Sequence, residues 1–168
     1  MKSLFVALFC LLSVAAWAGD FDNWYFQLAS ERCEVEGEIF NAAGEQIGTF
    51  VGVTHGELSE DGKSFTEHFE YTYMPGGAKS KGSATWTRGK DGAYRASGKT
   101  PDRVRYFTQM KVEKNKTYIQ RSSFTDGRMA ESKAQLKEDG SLSLVDTIKT
   151  KEVGLMMTLT YRRTKVAE

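Results

Sequence analysis

Cysteine, proline and histidine are all scarce in this chain, and each scarcity removes a class of protein. Its 168 residues include two cysteines, Cys10 and Cys33. They form no Cys-x-x-Cys pair and no Cys/His zinc spacing, so a disulfide framework and a structural zinc knot are both excluded. No Gly-x-Ser-x-Gly elbow is present, and Cys33 has no histidine near it in sequence, so nucleophilic catalysis finds no support. No glycine-rich loop opens a helix to cradle phosphate. No segment carries a sustained apolar stripe at helical period. The assignment is therefore no catalytic residue, no metal ligand and no cofactor.

The N-terminus has one recognisable pattern. Lys2 precedes an apolar run from Leu4 to Val14, which is short for a bilayer span, and Ala16-Trp17-Ala18 is a small-x-small cleavage signal. Residues 1–18 read as a signal peptide cut before Gly19. Cys10 lies within the apolar run and lacks the small-residue context of lipid attachment. The expected product is a soluble periplasmic or secreted protein with no membrane anchor. Removing 18 residues from 168 leaves 150 in one domain, 19–168, enough for a core without disulfides. Cys33 is then the only thiol, and its alternation with Val35 points it inward.

The two prolines and sixteen glycines suit an antiparallel sheet with few interruptions. Alternating runs are separated by Asp61-Gly62, Asp91-Gly92, Asp126-Gly127 and Asp139-Gly140, dipeptides that favour mirror-image type I′ hairpin turns. Ala43-Gly44 and Pro75-Gly76-Gly77 add two more turns. The pattern predicts strands over 32–40, 46–58, 63–74, 80–88, 93–100, 103–113, 117–125, 128–137, 141–150 and 154–164. Trp24–Ala29 reads as a short helix or a lead-in segment. Ten hairpin-connected strands would expose long edges unless the sheet closes. The expected fold is all-β, an up-and-down antiparallel barrel of about ten strands, with a two-sheet sandwich as the alternative.

Strand period then assigns faces. In SFTEHFEYTYM, Phe65, Phe69, Tyr71 and Tyr73 share a side with Glu67. Tyr106, Met110 and Val112 form a second inward row, Leu142, Leu144, Asp146 and Ile148 a third, and Leu155, Met157, Leu159, Tyr161 and Arg163 a fourth. On 46–58 the expected inward set is Ile47, Val51, Val53 and His55, opposed by Phe50. His68 faces outward. A carboxylate among aromatics is costly unless paired, so Glu67 is expected to bond tyrosine hydroxyls or Arg163, or to orient a ligand. An enzyme reading would use Glu67 with Asp146 or His55. His55 as a haem ligand or a metal ligand with that pair is a further alternative.

The stretch SFTEHFEYTYM…SATWTRGKDGAYRASG resembles small calycin-like (lipocalin-like) bacterial envelope proteins of unknown function. Glu67, Phe69, Tyr71, Trp86, Gly92, Tyr94 and Gly98 carry the resemblance, over about a quarter of the chain. It implies a barrel holding an apolar ligand and no catalytic residues. Calycin-like barrels also pack an N-terminal Trp against an Arg of the last strand, parts that fall to Trp24 and Arg162 or Arg163. The function expected is non-catalytic binding of a small apolar or amphipathic ligand. Its lining would be Phe65, Phe69, Tyr71, Tyr73, Trp86, Tyr106, Met157 and Tyr161, with Glu67 and Arg163 as polar contacts. The alternative is a structural or interaction protein of the envelope with a filled barrel.

Charge is unevenly distributed. Residues 19–70 hold twelve acidic and two basic residues, a net of −10, and residues 71–168 hold ten acidic and twenty basic, a net of +10. Arg103, Arg105, Lys111, Lys114 and Lys116 surround Phe107 on one basic strand face. That face reads as solvated rather than as a nucleic-acid site, and no nucleic-acid partner is assigned. The opposite signs predict that at least one of Glu34, Glu36 and Glu38 of the first strand lies near Arg162 or Lys165 of the last.

Overall fold

A computed structural model describes residues 20–100 and 103–166; the expected signal segment lies outside the described residues. A short helix α1 (Trp24–Ala29) precedes ten strands: β1 (Cys33–Asn41), β2 (Gln46–Leu58), β3 (Ser64–Met74), β4 (Ala78–Arg88), β5 (Tyr94–Lys99), β6 (Arg105–Val112), β7 (Thr117–Phe124), β8 (Arg128–Leu136), β9 (Leu142–Thr150) and β10 (Gly154–Lys165). Each strand pairs antiparallel with its sequence neighbours, and β1 pairs with β10, so the sheet closes into a barrel rather than a sandwich. Closure leaves unpaired edge only along β4, which pairs with β5 through Thr87 and Arg88 alone.

The four Asp-Gly turns differ from the mirror-image form that the dipeptide favours. Among the described residues only Arg103 and Lys116 are non-glycines with positive φ, so the aspartates keep ordinary right-handed backbone. In each turn the glycine alone is left-handed, and its N–H closes an i to i+3 bond, as Gly62 to Ser59 and Gly140 to Lys137. The aspartate works through its side chain instead. Oδ1 of Asp61, Asp91, Asp126 and Asp139 accepts the backbone N–H two residues on, at 3.1, 3.3, 3.1 and 2.9 Å. This local bond explains why aspartate precedes glycine at all four corners.

Helix α1 plugs one end of the barrel. Asn23 caps it, its Oδ1 accepting from the Tyr25 and Phe26 backbone N–H groups, while its Nδ2 donates to the Tyr94 hydroxyl at 2.8 Å. Phe21, Tyr25 and Phe26 then pack with Phe65, Trp86, Tyr94, Met110, Tyr118, Leu142 and Leu144 into a closed core. Phe26 contacts Phe65 and Tyr94 edge-on at centroid distances of 4.8 and 4.6 Å.

Two expectations about faces change. On β2 the inward residues are Phe50, Thr54 and Gly56, while Ile47 and Val51 are each 53% exposed. Phe50 decides the register because burying its ring outweighs burying the two smaller side chains opposite. Gly37 of β1 makes the space: a Cβ there would sit 2.6 Å from the Phe50 ring and 2.6 Å from the Tyr161 Cβ. On β10 the register shifts between Leu155 and Met157, so the inward row is continuous only from Met157 to Arg163.

The closing seam shows the expected juxtaposition of charge, with Glu36 directly opposite Arg162. The short ionic contacts nevertheless go elsewhere. Arg162 reaches Asp139 in the β8–β9 turn, and Lys165 Nζ lies 2.9 Å from Glu31 Oε1. These acceptors sit on flanking turns, where long side chains reach them without leaving water.

Candidate functional site

Along the inward row of β3 the barrel changes character at Glu67. Phe65 below it is 2% exposed and belongs to the core around α1. Phe69, Tyr71 and Tyr73 above it point into the same lumen yet remain partly exposed, as do Tyr106, Asp146, Met157, Leu159 and Tyr161 on the facing strands. An inward residue of a closed barrel meets solvent only where the lumen is open, so the end away from α1 forms a calyx with aromatic walls. Phe69 and Tyr71 stack at 5.5 Å with ring planes 16° apart, and Phe50 touches Tyr71, Tyr73 and Tyr161 at 5.7, 5.8 and 5.6 Å.

The wall beside this end is incomplete. β4 and β5 pair only through Thr87 with Arg95 and Arg88 with Tyr94, so the longer β4 continues past the ladder. Glycines flank the gap. A Cβ on Gly82 would meet the Phe69 ring at 2.7 Å, and one on Gly98 would meet the Tyr106 hydroxyl at 2.7 Å. The far ends of two inward aromatics therefore lie over bare backbone on either side of a lateral opening.

The floor of the calyx is polar. Glu67 is 6% and Arg163 8% exposed. Arg163 Nη1 donates to Glu67 Oε1, and the Tyr25 hydroxyl donates to Glu67 Oε2 at 3.0 Å. Burial works against the Arg163 charge, but the Glu67 carboxylate and the surrounding tyrosines outweigh it and hold the guanidinium firmly protonated. Burial, reinforced by Glu67, pushes the Tyr25 hydroxyl well above its ordinary range, so it stays a donor. Burial likewise lifts Tyr71 to about 12, and it raises Tyr118 and Tyr161.

Asp146 forms a second polar group higher in the lumen. Its Oδ2 accepts from the Tyr161 hydroxyl at 3.1 Å. Burial raises its carboxyl above the usual range, while the Ser132 and Tyr161 hydroxyls and Arg163 pull it down less strongly. Asp146 Oδ1 and Arg163 Nε are buried with no hydrogen-bond partner among the described residues.

The structure brings together Glu67, Phe69, Tyr71, Tyr73, Tyr106, Met157, Tyr161 and Arg163 around the lumen. It places Phe65 and Trp86 instead in the packed core, where Trp86 is 2% exposed. Two expectations are corrected. His55 lies on the outer wall, because the register set by Phe50 turns it outward, so it cannot join Glu67 and Asp146 or ligate a group in the lumen. The aromatic that reaches the floor arginine's partner is Tyr25, not Trp24. Trp24 instead stacks near Tyr118 at 6.4 Å and donates its indole N–H to the Glu113 carbonyl at 3.0 Å. Sequence reasoning missed Phe50, Tyr25 and Tyr118. The signal for Phe50 was its alternation with Gly52 and Thr54.

These features define a calycin-like barrel: closed, antiparallel, plugged at one end and open at the other. The S-type phycobiliprotein lyase CPES from Guillardia theta has the same fold, with a TM-score of 0.66 at 12% identity over 86% of this chain and 92% of that one. The structure of EF1p2_mFAP2b bound to DFHBI aligns with a TM-score of 0.46 at 13% identity, over 83% of this chain and 95% of that one. No family model and no curated protein matches this chain.

Proposed function

We propose that the protein is an exported, non-catalytic carrier that holds a small amphipathic ligand in the open end of its barrel. One observation carries this reading: above Glu67 the inward Phe69, Tyr71, Tyr73, Tyr106 and Tyr161 are partly exposed, with Phe50 alone buried among them, while the aromatics around α1 are fully packed. Tyr71, Tyr73 and Tyr161 offer flat apolar surface, and their hydroxyls are donors throughout the physiological range. Asp146 Oδ1 and Arg163 Nε supply an unused acceptor and an unused donor. The opening between β4 and β5 gives a side entrance lined by Phe69 and Tyr106. The barrel shared with the phycobiliprotein lyase supplies the scaffold alone; the ligand reading rests on the lumen. Export rests on the N-terminal sequence pattern, and periplasmic or secreted placement follows from it.

The test is native mass spectrometry of protein purified from its own host, with a titration of 1-anilinonaphthalene-8-sulfonate. The expected result is a co-purifying small molecule, or saturable dye fluorescence that falls at least fivefold in Tyr71→Ala and Tyr161→Ala. Absence of both defeats the proposal.

A second reading, a filled barrel acting through its surface, is favoured by one feature. A concavity of about 580 Å³ on the outer wall is lined by Arg95, Phe107, Arg121, Met129 and Lys149. Phe107 there is 59% exposed. Phe107→Ser would abolish partner binding on that reading and leave dye binding unchanged on the first.

A further inference from the structure

The chain's only two histidines, far apart from the lumen's chemistry, face each other on the outside of the barrel. His55 of β2 and His68 of β3 are direct partners across the ladder. Their rings stack at 4.9 Å between centroids, 19° from parallel. Glu57, two residues beyond His55, projects from the same face of β2. The donor atoms of His55, Glu57 and His68 all lie within 4.8 Å of one another.

We infer that His55, Glu57 and His68 form a surface site for a borderline d-block dication of the zinc and copper class. Two imidazole nitrogens and one carboxylate oxygen are a coordination set these ions favour, whereas calcium and magnesium require oxygen-rich shells. Metal–donor bonds of roughly 2.0–2.2 Å require donor atoms about 3–4 Å apart. Small side-chain rotations therefore complete the site without moving backbone. Water takes the remaining coordination positions, so the site is open.

The supporting backbone is held rigidly from inside. Thr54 and Gly56, on either side of His55, are both buried. A Cβ on Gly56 would lie 2.2 Å from the Phe65 ring and 2.9 Å from the Ala29 carbonyl oxygen, so β2 is pressed against the plug here. His68 follows Glu67, which is fixed by Arg163 and Tyr25. Ligands mounted on two paired strands over a packed core are preorganised better than ligands on loops.

The test is isothermal titration of the full chain with zinc chloride and with copper sulfate, each alone, and with calcium chloride as a control. The expected result is one zinc site per chain, no calcium binding, and at least a thirtyfold loss of zinc affinity in His55→Ala/His68→Ala. Glu57→Gln should weaken zinc by about fivefold. Copper(II) added to the wild-type protein should broaden the His55 and His68 ring resonances before any others, a readout independent of variant folding. Undiminished zinc binding in the double variant, or no zinc binding at millimolar concentration, overturns the inference.

Discussion

Glu67 and Arg163, 96 residues apart in sequence, form a buried ion pair across the lumen, and Tyr25 of the plug donates a third bond to the same carboxylate. The pair joins β3, β10 and α1 at one point. Removing one member of a buried pair strands the other, at roughly 3–5 kcal/mol. Glu67→Leu should therefore cost more than Glu67→Gln, because the amide keeps one acceptor oxygen, for Arg163 or for Tyr25, while leucine keeps none. The double variant Glu67→Leu/Arg163→Met should recover most of the loss. Urea denaturation of the four proteins checks the order; equal stability of both single variants and the wild type would contradict it.

Asp146 gives a pH signature. Its carboxyl is raised in the folded state, so the native protein binds that proton more tightly than the unfolded chain does. Stability from this group is present below the ordinary carboxyl range and is lost as pH rises through the raised value. Asp146→Asn should then stabilise the protein at pH 7, and that advantage should shrink as the pH falls toward 3.8. Melting curves at several pH values, compared between the two proteins, report it; an advantage independent of pH would refute the assignment.

Gly37 carries no side chain because Phe50 and Tyr161 fill its place. Gly37→Val should destabilise by roughly 1–3 kcal/mol through overpacking. A Phe50→Ala background should accept the valine with less loss. Additive effects of the two substitutions in denaturation would show that the sites are uncoupled.

Cys33 is 1% exposed, and burial raises its thiol above the ordinary value. A maleimide should react slowly with native protein and quickly in denaturant, with at least a hundredfold difference in rate. Fast native labelling, or a covalent dimer on a non-reducing gel, would contradict the inward placement.

At the closing seam, Glu36 faces Arg162, with Glu34 and Glu38 beside it. Replacing all three glutamates by lysine should lower stability by about 1–2 kcal/mol at low salt, from cross-strand pairs of roughly 0.2–1 kcal/mol each. Most of that difference should vanish in 1 M salt, where screening is nearly complete. An equal loss at both salt concentrations would point to packing instead.

The architecture was legible because period-two alternation and the Asp-Gly corners are local signals. Each strand's limits, and the order in which they pair, follow from where alternation stops and glycine begins. Faces were legible where one side of a strand was plainly bulkier, as from Phe65 to Tyr73. They were misread on β2, where Ile47, Val51 and Val53 look like a core row and only the partners of Phe50 show otherwise. The Glu67–Arg163 pair was legible as a requirement, since buried charge demands a counter-charge. The histidine pair was not, because two lone histidines thirteen positions apart acquire meaning only from register. The turn geometry was misread because Asp-Gly serves two corner types: a mirror-image turn with both residues at its centre, and the form here, with glycine as the fourth residue bonded three residues back.

The pairing of β1 with β10 also governs the time course of folding. Hairpins from β1–β2 through β9–β10 form between near neighbours, but the closing ladder joins Cys33 to Lys165, 132 residues away. That one distant ladder is the slow step of an otherwise local assembly, because loop entropy is spent before its contacts repay it. Until β10 arrives, β1 presents an open edge bearing three glutamates, and their mutual repulsion keeps waiting chains apart. The acidic stripe thus acts as a guard on the unfinished barrel before it becomes part of the finished one.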